Sequence, residues 1–173
     1  MNARTKNLGG WAAVLAAVLV CALGGWSYAQ ARGDDTLARA TARDEATADG
    51  RSALARLTSM DGTSAARVGA GLAAWLDAST GPLHERLAGS RKKDAAELTE
   101  AGTTARGKVT DAALTALDTG AGTAVLIATV DVVVTPRTGA AGTERKRFEA
   151  TLARTGGGWK IKALDAIPVG SGG

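Results

Sequence analysis

Acid–base and nucleophilic chemistry needs histidine, cysteine, tyrosine or paired carboxylates within reach of one another, and this chain is poor in all of them. It holds one histidine, one cysteine and one tyrosine in 173 residues. Cys21 lies inside a hydrophobic run, so it supports neither an intrachain disulfide nor a cysteine-based metal site. Val20 precedes it where a lipid-modified cysteine would need a small residue, and Tyr28 closes the same run. His84 follows Leu83, precedes Glu85 and stands three residues before Leu87, which puts it at the edge of an apolar helical face, partly exposed. That is the setting of a structural histidine rather than a catalytic one.

Asp165 is the more interesting carboxylate. Strict alternation from Trp159 places it on the inner side of a terminal strand, where a carboxylate in dry surroundings can act as a proton-transfer base. No tyrosine, second acid or histidine stands ready as its oxyanion partner, so the reading is a hydrogen-bonded structural aspartate. Asp131 falls on the polar side of its strand and is expected to pair with a Lys or Arg of the neighbouring strand. One histidine and scattered carboxylates give no metal-ligand spacing. Gly120, Gly122, Gly139, Gly142 and the run from Gly156 to Gly158 lie between strands, and none leads into a helix N-terminus as a phosphate cradle requires. The expectation is a protein with no catalytic residues, no metal and no cofactor.

The elements that would position these residues begin with an anchor. Between Leu8 and Ala29 there is no charge, enough to cross a bilayer as a helix of ~20 residues. Trp11 opens the run and Trp26 with Tyr28 closes it, which suits rings at the two headgroup levels. Arg4 and Lys6 precede it, while Arg32 is followed at once by Asp34 and Asp35, so the N-terminus is placed in the cytoplasm and the remainder outside. The competing reading is a cleaved signal peptide, because Ser27, Tyr28 and Ala29 form a small-x-small site and cleavage there would secrete the domain. Hence residues 1–7 are read as a cytoplasmic tail, 8–29 as a transmembrane helix, 30–45 as a helical stalk, 46–170 as the exported domain and 171–173 as a tail.

Net charge is +4, and once the two basic residues before the anchor are set aside the rest is nearly balanced, with Lys and Arg interspersed among Asp and Glu. Aromatics make up only 3% of the chain. Neither a basic face nor stacking rings is present for nucleic acid.

The exported part reads as three helices and then four strands. From Arg32 to Asp61 the pattern is helical, with Ala46, Gly50, Leu54 and Leu57 on one face. Thr63 or Ser64 caps a second helix bearing Val68, Leu72, Trp75 and Leu76. Ser79, Thr80, Gly81 and Pro82 start a third, which turns Leu83, Leu87 and Leu98 inward and Arg91, Lys92 and Lys93 to solvent, or toward anionic lipid. Strands are expected near 103–117, 123–135, 144–155 and 158–167. Ala124, Leu126, Ala128, Val130, Val132 and Val134 form the dry face of the second, Phe148, Ala150 and Leu152 that of the third, and Trp159, Ile161 and Ala163 that of the fourth. A two-residue turn at Gly156 and Gly157 would set Leu152 opposite Ile161 and Ala150 opposite Ala163. The fold class is α+β, three helices on a curled four-stranded antiparallel sheet. Val68, Leu72, Trp75, Leu76, Phe148, Trp159, Ile161 and Asp165 are the candidate lining of one core or shallow cavity between helices and sheet.

Particular strings carry a resemblance. Leu76-Asp77 is followed by Thr80-Gly81-Pro82-Leu83, Val109-Thr110-Asp111-Ala112-Ala113 by Leu117-Asp118, and Gly158-Trp159-Lys160-Ile161 by Leu164-Asp165 and Pro168-Val169. In these and in element order the chain resembles the Mce-associated membrane proteins of actinobacteria, whose exported domain has the nuclear-transport-factor-2-like cone fold. The resemblance implies a non-catalytic accessory protein of an Mce-type lipid or sterol transport system, with the cytoplasmic membrane, other exported or membrane proteins, and an apolar molecule or lipid as partners. The architecture also looks like exported components of conjugation or type IV secretion complexes, which is the alternative reading. A small-molecule-binding or isomerase-like cone domain is the third.

Overall fold

The computed structural model describes residues 36–168. The anchor residues Arg4, Lys6, Trp11, Trp26 and Tyr28, the proposed span 8–29 and the tail 171–173 lie outside them. Among the described residues no helix is long and apolar enough to cross a membrane.

Among the described residues helix α1 occupies 36–57, and it stops four residues short of the expected Asp61. Its exposed first residues give way to a face of Ala46, Gly50, Ala53 and Leu54, all buried. Thr58 and Ser59 end it by turning their hydroxyls back onto the carbonyls of Leu54 and Ala55. The residues just beyond, Met60–Asp61, are not helix but strand β1. Helix α2, Ala65–Ala78, is capped by Ser64, whose hydroxyl accepts from Arg67 N–H. Helix α3, Gly81–Ala101, starts at Thr80 with Pro82 in its first turn and stops at Gly102, a left-handed C-cap whose N–H reaches Leu98 O.

Strands β2 (Thr104–Asp118), β3 (Thr123–Thr135), β4 (Gly142–Thr155) and β5 (Gly158–Ile167) follow. They complete a five-stranded antiparallel sheet in sequential order, one strand more than the four expected, because a two-residue strand leaves too little alternation to read. The dry faces of β3 and β4 are those expected, with Ala124, Leu126, Ala128, Val130 and Val132 buried on one strand and Ala150 and Leu152 on the other.

Register is where the strands depart from simple alternation. Thr110 and Thr115 on β2 and Lys162 on β5 are each an extra residue against one fewer on the neighbouring strand. The β2 bulges keep Val109, Ala112, Leu114 and Leu117 all on the inner face, packed on the core. The β5 bulge corrects the last strand. Leu152 does face Ile161, but Ala150 faces Leu164 rather than Ala163, and Asp165 moves to the outer face opposite Glu149, where both are exposed.

The core is divided rather than single. The main cluster joins α1, the inner sheet face and Leu83 of α3, with Trp159 and Ile161 inside it and Phe148 packed against it. A smaller cluster of Met60, Val68 and Leu72 sits under α2, with Trp75, Ala95 and Leu98 against it. Trp75 and Trp159 therefore belong to different cores, contrary to the expectation of a shared one.

Polar arms of α1 reach both sides of the sheet. Toward β2, Arg43 and Arg51 donate to the carbonyls of Leu114 and Val109. Toward β4 and β5, Glu45 pairs with Arg154 and the Asp49 carboxylate accepts from Trp159 N–H at 2.9 Å.

Candidate functional site

The sequence-derived residues do not converge on one pocket. Val68 and Leu72 are buried in the lesser core, Trp159 and Ile161 in the main one, and Phe148 is half-buried beside the latter. Trp75 is half-buried and its indole N–H points to the carbonyls of Arg56 and Ser59, both at 3.0 Å, which ties α2 to the end of α1. Leu76 lies at the α2–α3 junction, where its carbonyl contacts His84 Nδ1 at 2.9 Å. A cleft of about 460 Å³ there is lined by His84, Lys160 and the Gly156-Gly157 turn. Its carboxylate, Asp77, makes ion pairs with Lys160 and Arg56. Lys160 first, then Arg56, hold it below the ordinary carboxylate range, so it is a poor proton acceptor near neutral pH. Asp131 meets its expected partner: Arg145 on β4 grips it with two bonds, 2.7 and 3.1 Å long. Among the described residues no three metal-ligating side chains converge.

A larger feature went unread in the sequence. Between α2 and the β1–β2 end of the sheet runs a groove of about 510 Å³. Its floor is small and apolar, made by Ala70, Gly71 and Ala74 of α2 with Met60 and Ala105 of the paired strands. Arg56, Arg67 and Arg106 stand along its walls against one carboxylate, Asp61. Gly71 lets Met60 come close, since a Cβ there would sit 2.6 Å from Met60 Sδ and push the methionine's end aside.

Asp61 is fully committed within this groove. It accepts from the hydroxyl and the N–H of Thr63 and from Arg67 Nη1 at 2.6 Å. The Thr63 hydroxyl, then Arg67, lower its pKa to about 2. Arg56 is engaged as well, with Asp77 and Ser52. Arg106 is exposed and its side chain has no partner among the described residues. These positions are far apart in the chain and meet only because Met60–Asp61 pairs with Thr104 and Ala105. The one local signal was Gly71 inside α2, where glycine is costly unless something must come close.

With helices and groove in place, the fold can be compared with solved structures. It is similar to three solved proteins, two of them from type IV secretion systems. An IcmL-like type IV secretion system protein from Legionella pneumophila aligns with a TM-score of 0.58 at 12% identity, over 75% of this chain and 95% of that one. A periplasmic fragment of TraM gives 0.55 at 14% identity, covering 73% and 97%. CagV, a VirB8 homolog of the Helicobacter pylori type IV secretion system, gives 0.52 at 9% identity, covering 70% and 98%. Identities this low establish the shared fold and nothing finer. No protein-family model matches the sequence, and no curated protein matches it either.

Proposed function

We propose that this chain is a membrane-anchored, non-catalytic scaffold whose exported domain takes its place in a multi-protein secretion-type complex. The observation that carries the reading is the extent of the likeness: each of the three solved domains is matched over 95% of its length or more, and two of them come from type IV secretion systems. The strings that resemble Mce-associated proteins, such as Thr80-Gly81-Pro82-Leu83 and Gly158-Trp159-Lys160-Ile161, are a helix start and a strand after a turn, which the fold itself accounts for. The secretion-type reading is therefore preferred to Mce-type lipid transport. The absence of catalysis is supported by Asp165 on the outer face beside Glu149 and by Asp77 locked between two cations.

Affinity isolation of the full chain from detergent-solubilised native membrane tests this reading. Secretion-complex subunits are expected in the isolate, whereas Mce transporter subunits in their place would overturn it. Turnover of any substrate that Asp165→Asn abolishes with folding intact would overturn the non-catalytic part. Retention of residues 8–29 predicts a mature chain that begins at Met1 or Asn2 and resists carbonate extraction. A mass starting at Gln30 would overturn the anchor.

A further inference from the structure

We infer that the groove between α2 and the β1–β2 end of the sheet receives an acidic segment of a partner protein, with Arg106 and Arg67 as the residues that read its carboxylates. The inference rests on the scaffold role proposed above and names the chemistry of one docking surface.

Charge carries the argument. Three guanidiniums line the groove against one carboxylate, and that carboxylate already accepts from both donors of Thr63 and from Arg67. Arg56 is held away by Asp77 and Ser52. Arg67 spends only Nη1 on Asp61, so its remaining N–H donors can take a second acceptor. Arg106, with no partner of its own, keeps its whole fork.

The floor determines what kind of anion fits. Ala70, Gly71 and Ala74 end at or before Cβ, so a chain can approach the helix surface closely, and Met60 is adaptable enough to pack against varied side chains. Arg67, with donors to spare beyond Asp61, comes from the α2 wall, and the unpaired Arg106 comes from β2. Donors that come from two separate elements suit two carboxylates carried along a peptide better than one lipid headgroup.

The test uses the full chain in its own membrane with a benzophenone amino acid at Ala74, in the groove, and separately at Ile127, exposed on β3 six residues along the strand from Val133, the neighbour of Arg106. The Ala74 probe is expected to capture a different protein at a segment rich in Asp and Glu. Arg106→Glu should cut that yield at least about tenfold. Reversing the captured acid to lysine should restore it. Arg106 is exposed and unpaired, so the melting temperature of Arg106→Glu should match the parent and exclude misfolding. Adducts with lipid, with a second copy of this chain or with a segment lacking carboxylates would overturn the inference, as would a yield indifferent to Arg106→Glu. Capture at Ile127 with none at Ala74 would leave the scaffold reading standing and remove the groove from it. Capture at neither would remove both.

Discussion

Trp159 offers the sharpest check on how this domain is held together. The residue is 3% exposed inside the main cluster, and its Nε1 is a buried donor with no partner among the described residues. Two effects of opposite sign therefore meet in one side chain. Truncation to Ala empties a large packed volume and should cost about 3–5 kcal/mol. At roughly 4 °C per kcal/mol for a domain of this size, that lowers the melting temperature by about 12–20 °C. Phe keeps most of the ring and removes the stranded N–H, whose burial costs about 1–3 kcal/mol. This gain offsets the smaller cavity left behind, so Trp159→Phe should stay within about 1 kcal/mol of the parent. Thermal and urea unfolding of the detergent-solubilised chain, followed by circular dichroism, would measure both. A Phe variant as unstable as the Ala variant would refute the reasoning, because it would mean that the indole N–H is satisfied and contributes to stability. An Ala variant that melts with the parent would show that the main cluster is not packed around this ring.

Two further outcomes follow from close contacts. Gly107→Ala drives a Cβ into Thr58 Oγ1 and to within 2.6 Å of Thr58 Cβ, so it should cost about 1–3 kcal/mol by the urea midpoint, and Thr58→Gly in the same chain should recover part of the loss. Asp61 titrates at about 2 in the fold against about 3.9 in an unfolded chain, so its contribution is present above pH 4 and is lost as pH falls toward 2. Acid unfolding of Asp61→Asn should accordingly show a shallower loss of stability across that window than the parent does.

The helices and the dry faces of β3 and β4 were legible because each runs long enough for its period to repeat. Val68 and Leu72 on α2, or Leu126, Ala128 and Val130 on β3, announce themselves by spacing alone. Asp165 was misread for a physical reason: alternation counts residues, and the bulge at Lys162 inserts one that the neighbouring strand does not match. The division of the core was hidden because a helical face does not say which layer it meets, so Trp75 and Trp159 could be assigned to one interface only by assumption. The groove was the least legible feature. Arg56, Arg67 and Arg106 each look like ordinary solvated charges, and their convergence depends on a strand two residues long.

The way α1 is fastened has a mechanical consequence. Its guanidiniums grip β2 on one side while Glu45 and Asp49 hold β4 and β5 on the other, and Ala46, Gly50 and Leu54 lie against the sheet between them. A pull on the chain ahead of Ala42 enters the domain through this helix. Sliding α1 along the sheet would load the contacts on both sides together instead of unzipping them one at a time. The element that faces any strain from the N-terminal side is therefore also the one that ties β2 to β4 and β5, so traction there is shared among those strands instead of falling on one of them.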